Sequence, residues 1–352
     1  MRESSYYRHI VAILCYGLVA TRALNIAITG TSQGIGLSAA RSLIADGHRV
    51  FHGCRSEQRA ALARDEANGG EALVCDLADT ASVRKFAKEV AAACGDEGLD
   101  VLCLNAGIAP STKAEAAGRT VQGFEECVGT NHLGHFLLAH ELLPALEKGA
   151  GDTMGTIVVT ASSVHDPEQP GGAVGGKDGA SLGDLSGVGA YMTGLWGSAA
   201  GDVVMPDGAT EYSGGKVYKD SKLMNVMFAR AATKKWAQRV RLLSFNPGFI
   251  PSSGLFRAPR KDNAVGAALF TFVATNVAKF AVPIDVGGDR LAFLAASPEA
   301  AALPSGSYLS ADTGSLAVTP GEGFIDGIIS AEAQDDAKVE ELWQKSVEVL
   351  GL

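Results

Sequence analysis

Along this chain, short β-type runs dominated by apolar residues alternate with longer stretches in which apolar positions return every three or four residues. The short runs fall at residues 24–30, 49–54, 72–75, 101–104, 156–160 and 240–245. They read as strands buried on both faces. Periodic stretches at 37–46, 131–146 and 216–238 read as helices. Strands and helices in that alternation predict a doubly wound parallel α/β sheet of the Rossmann kind, in a single domain over residues 23–352.

Three regions stand outside the pattern. Between residues 167 and 215 the periodicity lapses into Gly-, Ser- and Asp-rich sequence, predicting a long insertion ahead of the 216–238 helix. Loops of that length in a compact domain are usually functional. The tail, 331–352, reads as one amphipathic helix with Val339, Leu342, Trp343, Val347 and Leu350 on one side. At the other end, residues 10–20 form an uncharged apolar run behind Arg2 and Arg8, followed by Ala20 and Ala23. Such a run is shorter than the ~20 residues a membrane-spanning helix needs and matches a signal-like leader over 1–22.

Composition adds three constraints. With 47% hydrophobic and 20% charged residues, the chain can bury a large core. A net charge of −9 without a Lys/Arg cluster argues against a nucleic-acid partner. Cys15, Cys54, Cys75, Cys94, Cys103 and Cys127 form no CxxC pair, so they are expected as reduced thiols in a non-secreted compartment, and no metal site is expected. Glycine is abundant, 43 of 352, roughly one in eight against a usual ~7%. Many of these glycines lie in the 171–215 insertion, others in a turn with chemistry of its own.

That turn is Thr29-Gly30-Thr31-Ser32-Gln33-Gly34-Ile35-Gly36, between the first strand and the first helix. Glycines at 30, 34 and 36 let backbone approach a pyrophosphate, and the helix N-terminus supplies N–H groups and a positive dipole end. Arg55 follows the second strand where an acidic residue would suit NAD, and its charge suits a 2′-phosphate, so NADP(H) is favoured. Asp76 and Leu77 follow the third strand toward an adenine edge; Asn105, Ala106 and Gly107 follow the fourth, beside the cleft. Tyr218 and Lys222, four residues apart, share a helix face. A neighbouring ammonium is expected to lower the phenol's pKa and make it a proton relay, with Lys222 also placed to hold the nicotinamide ribose. A hydroxyl at the end of the fifth strand, Ser162 or Ser163, would steady the reacting oxygen; Ser162 is preferred.

Together with Asn131 and Asn246-Pro247-Gly248, these motifs resemble the short-chain dehydrogenases/reductases. Within that family the segments VGTNHLGHFLL (128–138), HDPEQPGG (165–172), LGDL (182–185), KVYKDSKLMN (216–225), SGLF (253–256) and EELWQKSVEVLGL (340–352) are similar to the light-dependent NADPH:protochlorophyllide oxidoreductases. The resemblance implies NADPH as cofactor, Tyr218, Lys222, Ser162 and Asn131 as the catalytic set, and cofactor contacts from Ser32, Gln33, Ile35, Tyr218, Lys222, Pro247, Gly248 and Ile250. It also implies a plastid location and a small apolar substrate, protochlorophyllide. Homo-oligomers of relatives use the helices matching 131–146 and 216–238, and the amphipathic tail is compatible with peripheral membrane attachment. Three positions depart from the pattern. Met224 replaces a frequent cysteine, Gly107 an alanine, and Ala109 stands where an aromatic is usual. They leave open a dark carbonyl or alcohol reductase acting on a lipid-like or retinoid-like substrate. An NADPH- or pigment-binding protein without turnover fits the intact Tyr/Lys/Ser/Asn set poorly.

Overall fold

Eight strands form one sheet in the computed structural model, which describes residues 22–149, 154–173, 179–193, 202–256, 268, 271–311 and 315–352. The strands are β1 (Asn25–Thr29), β2 (Arg49–Cys54), β3 (Glu71–Val74), β4 (Val101–Leu104), β5 (Gly155–Thr160), β6 (Val240–Asn246), β7 (Ser307–Ala311) and β8 (Phe324–Asp326). Their order is β3-β2-β1-β4-β5-β6-β7-β8, parallel throughout except for the antiparallel β7–β8 pair. Successive side chains point to opposite faces. Ala27, Phe51, Leu102 and Val159 enter one core, whereas Ile28, Val50, Cys103 and Val158 enter the other. Both faces are therefore apolar, and that is why the strand runs carry no polar alternation.

The main helices are α1 (Gly34–Ala45), α2 (Glu57–Ala67), α3 (Thr80–Cys94), α4 (Gly134–Gly149), α5 (Ser186–Thr193), α6 (Gly214–Lys235), α7 (Ile284–Ala296) and α8 (Asp336–Leu350). A π-turn, Gly129–Leu133, leads into α4. Crossovers between β1, β2 and β3 and between β4, β5 and β6 run in opposite directions along the sheet. The switch point lies between β1 and β4, where doubly wound folds bind ligands at the carboxyl ends of the strands.

Several expectations are corrected. The tail is two helices, Ala331–Gln334 and α8, because the Asp335 carboxylate accepts from Ala337 N and Lys338 N and starts a new helix there. The insertion is not structureless: it holds a short turn, Pro170–Ala173, and α5. Leu182, Leu185 and Val188 are fully buried along this segment, an apolar stripe that the surrounding glycines hide from a periodicity reading. β7 and β8 extend the sheet beyond the six expected strands. The leader expected over 1–22 lies, apart from Arg22, outside the described residues.

Helix α8 packs on the outer face of α4 and α6. Trp343 meets Phe136 at 4.7 Å and Trp236 at 5.3 Å, and stacks on Phe228 at 6.1 Å between ring centroids. His132 Nε2 and Ser346 Oγ lie 2.9 Å apart beneath them. Part of the surface formed by the 131–146 and 216–238 helices is thus packed against the chain's own C-terminal helix. The cysteines at 54, 75, 94, 103 and 127 are buried free thiols. Among the described residues, no helix is long and apolar enough to cross a membrane.

Candidate active site

The β1–α1 turn is built by glycine geometry. Gly30 has φ +76°, and a Cβ there would lie 2.8 Å from Ala106 Cα; a Cβ on Gly36 would lie 2.5 Å from the Gly30 carbonyl oxygen. No side chain larger than hydrogen fits at either position. Gly34, at φ +63°, faces open space. Gln33 stands at the N-cap of α1 without a side-chain capping bond, so the first-turn N–H groups of Gly34, Ile35 and Gly36 are left for an anion.

The end of β2 is fastened to this turn. Gly30 N donates to the Gly53 carbonyl at 2.7 Å, and Thr31 Oγ1 lies 3.2 Å from Cys54 Sγ. Arg55 is exposed beside it. Arg59, in the first turn of α2, reaches Ser32 Oγ with Nη1 at 3.5 Å. This second cation is absent from the sequence reading. Its only signal there is a spacing of four from Arg55 across a helix start.

Across the switch point, Thr29 Oγ1 accepts from Asn105 N and Ala106 N, and Asn105 Nδ2 donates to the Thr29 carbonyl at 3.0 Å. Thr160 Oγ1 donates to Asn105 Oδ1 at 3.3 Å, so one side chain ties β1, β4 and β5 together. Gly107 is exposed, and a Cβ there would lie 3.5 Å from Asn131 Oδ1 and 3.7 Å from Lys222 Nζ. Asp76 closes a local turn through Ala78 N, and Leu77 beside it is buried. After β6, Gly248 adopts φ +93°. A Cβ added at Gly287 would touch both Ile250 and Ile35, so the segment after β6 shares a wall with the start of α1.

Arg290 of α7 holds that segment in place. Without exposed surface, it donates to the carbonyl oxygens of Pro247 at 3.0 Å, Ser315 at 2.8 Å and Ala317 at 3.0 Å. A lone arginine in an apolar helix gives no hint of this role in sequence.

Tyr218, Ser162 and Lys222 meet at the ends of β5 and α6. The Tyr218 phenol faces the Ser162 side chain, whose hydrogen-bonding influence favours the ionised phenol. Ser162 also caps the short turn Ser163–His165, whose Ser163 hydroxyl faces Gly171. Ser162 is therefore the serine at the relay. His165, fully buried, fixes that loop: its Nε2 accepts from Ser330 N, which leaves Nδ1 to donate to the Ser162 carbonyl at 2.7 Å.

Lys222 Nζ donates to the Thr160 carbonyl at 3.1 Å and lies 5.8 Å from the centroid of the Tyr218 ring. Burial depresses its pKa from 10.5 to about 8. Burial also pushes the Tyr218 phenol well above its usual range, with only the Ser162 hydrogen bond acting against it. This reverses the expected direction. At that distance, and with its ammonium turned to Thr160, Lys222 does not offset the desolvation of the phenol.

Asn131 lies within the π-turn with its amide spent on the fold. Oδ1 accepts from Ile108 N at 2.9 Å, and Nδ2 donates to the Ile108 carbonyl and to Ser221 Oγ, both at 2.9 Å. Its carbonyl, exposed by the π-turn, accepts from the Asn225 amide at 2.8 Å. Asn131 braces the β4 loop against α6.

Comparison with known proteins accords with this geometry. The family model for short chain dehydrogenases matches residues 24–174. Protochlorophyllide reductase B of Hordeum vulgare is 35% identical over 343 residues, spanning 96% of this chain and 81% of that protein. Protochlorophyllide reductase of Chlamydomonas reinhardtii is 35% identical over 332 residues, spanning 92% and 77%. An uncharacterized protein of Mycobacterium paratuberculosis shares the fold with a TM-score of 0.63 at 24% identity, over 94% of this chain and 95% of that one. The chain belongs to the short-chain dehydrogenase family, among the relatives of the protochlorophyllide reductases.

Proposed function

We propose that this protein is an NADPH-dependent reductase that reduces a ring double bond of protochlorophyllide after the pigment absorbs light. The observation that carries the reading is the Tyr218–Ser162–Lys222 set at the mouth of a glycine-built dinucleotide turn, in a chain whose 35%-identical relatives are protochlorophyllide reductases over nearly its whole length. When bound, NADPH supplies a hydride and leaves as NADP+, and the double bond takes up that hydride and one proton. The residues present fit the cofactor. Gly30, Ser32, Gln33, Gly34, Ile35 and Gly36 cradle the pyrophosphate, while Arg55 and Arg59 flank a 2′-phosphate. Asp76 and Leu77 would border the adenine edge, Asn105, Ala106 and Gly107 would line the cleft between them and Lys222, and Pro247, Gly248 and Ile250 would border the nicotinamide side. Lys222 holds the ribose. Tyr218 keeps its proton at neutral pH, as a donor in a reduction must, and Ser162 aims the hydroxyl.

The relatives' names place them in chloroplasts, and a chlorophyll precursor as substrate assigns this protein to a plastid as well. Peripheral membrane attachment belongs to the same proposal. So does assembly of copies through a surface other than the face that α8 covers.

The deciding experiment mixes purified protein, NADPH and protochlorophyllide in the dark and then illuminates. Product absorbance is expected only after light. Dark turnover of small carbonyls with no pigment product would overturn this reading in favour of an ordinary carbonyl reductase, and binding without any turnover would leave a carrier. Met224 gives the carbonyl reading little support, since it is fully buried in the core rather than facing a cleft. For the cofactor, Arg55→Ala/Arg59→Ala is expected to weaken NADPH binding by about 10- to 100-fold, with NADH affinity nearly unchanged. Titration of each nucleotide by fluorescence reads this, and a parallel loss for both would remove the 2′-phosphate role.

A further inference from the structure

The two residues between Tyr218 and Ser221 have no part in the relay described above, yet both are buried and charged. Lys219 is 6% exposed and Asp220 0%. We propose that Lys219 and Asp220, with Lys216, are positioning residues that grip the 167–213 insertion from the far side of α6, so that the helix carrying the proton relay also fixes the seat of the substrate. The inference rests on the reading of the cleft as a protochlorophyllide site.

Helical phase separates the two tasks. At about 100° per residue, Tyr218 and Lys222 lie within about 40° of one another, while Lys216 and Asp220 lie about 120–160° further round and Lys219 lies between. The second face reaches the insertion at three separated points. Lys219 Nζ donates to the Gly172 carbonyl at 2.9 Å, near its start. Asp220 Oδ1 accepts from Ser181 N at 3.0 Å, and Lys216 Nζ donates to the Ser181 carbonyl at 2.7 Å, so both polar groups of one peptide residue are taken by a single helical turn. Lys216 Nζ also pairs with Asp220 at 2.7 Å and with Asp207, from the far end of the insertion, at 3.0 Å. Gly172 lies so close against the Asp166 carbonyl oxygen, 1.8 Å from where a Cβ would sit, that only glycine fits there.

Stability alone does not account for this arrangement. Apolar side chains of similar size usually serve as well as a buried ion pair, which must surrender its hydration. Burial lifts the Asp220 carboxyl to about 7, against the opposing pull of Lys216 and the Ser181 amide. What charged groups supply here, and apolar ones do not, is a fixed register for a glycine-rich segment that has few side chains to pack. Released from α6, the insertion would sample many positions over the cleft, and an extended ligand would have to order it on binding.

Lys216→Met/Asp220→Leu replaces the ion pair with apolar side chains of similar volume and is expected to fold with an unchanged cofactor turn. In the full-length apoprotein, hydrogen exchange of amides in 179–193 and 202–213 is expected to speed up by about tenfold or more while β1, β4 and β5 stay protected. Protochlorophyllide affinity in the presence of NADPH is expected to fall by about tenfold or more, with NADPH affinity unchanged. Should the double variant not fold, Lys219→Met provides the same readout at 171–173, and Lys219→Arg, which keeps a donor, is expected to restore protection. Unchanged exchange in the insertion would overturn the grip. Faster exchange in a protein whose wild type binds no protochlorophyllide would uphold the grip and overturn the substrate reading instead.

Discussion

Tyr218→Phe is expected to lower light-driven turnover by about 10²- to 10⁴-fold, the range associated with loss of a positioned proton donor, while NADPH affinity changes little, since the ring stays in place and the other cofactor contacts are untouched. Phenylalanine keeps the ring volume and the ring contact with Lys222, so the substitution removes only the hydroxyl that faces Ser162. Burial holds that hydroxyl protonated far above neutral pH, so the wild-type enzyme meets the hydride-transfer step with its proton in place. The variant has Ser162 Oγ near Val164 N but no acid in its stead. A single-turnover flash experiment separates the two steps: pigment binding and photochemistry persist, and formation of the protonated product slows. Turnover within about threefold of wild type would assign the proton to water and leave Tyr218 as packing.

The parts of this site that were legible in sequence are those set by local spacing. Gly30, Gly34 and Gly36 announce themselves because backbone geometry between a strand and a helix admits nothing else, and Tyr218 and Lys222 share a face by helical period alone. β1, β2, β4, β5 and β6 are readable because burial on both faces makes each a largely apolar run, while β3, half-buried at the sheet edge, is marked by its Ala72-Leu73-Val74 run. β7 is not readable: it sits near the sheet edge, with Tyr308 and Leu309 buried between half-exposed serines, and its pattern falls below that of a core strand. Arg59 and Arg290 escaped for a different reason. Each acts on residues far away in sequence, Ser32 and the carbonyls of Pro247, Ser315 and Ala317, which only the folded chain brings together. The charge balance of the relay is hidden from local spacing on the same ground. Spacing places an ammonium near a phenol, but only the fold shows that both are desolvated and that the ammonium is turned toward Thr160.

That desolvation leads to the second large effect, in which activity and stability move in opposite directions. Lys222→Met is expected to abolish most turnover, by about 10²-fold or more, and yet to stabilise the apoprotein at neutral pH. The drop of the Lys222 pKa from 10.5 to about 8 corresponds to about 3 kcal/mol of unfavourable charge burial below pH 8. Methionine removes that penalty and gives up the hydrogen bond to the Thr160 carbonyl, worth about 1–2 kcal/mol, so the net gain is about 1–2 kcal/mol. The sign follows from proton counting. With its pKa depressed in the folded state, Lys222 binds fewer protons folded than unfolded between about 8 and 10.5, so wild-type stability rises with pH through that window. The variant lacks this titration, and its advantage at about pH 7 should shrink toward pH 10 and reverse once the wild-type amine is neutral and still bonded to Thr160. Urea unfolding of both apoproteins across this range measures the gap directly. A variant less stable than wild type at pH 7, by an amount that does not change with pH, would show that Lys222 is held for packing. A shrinking gap would show a buried ammonium kept for its chemistry at the expense of the fold that surrounds it.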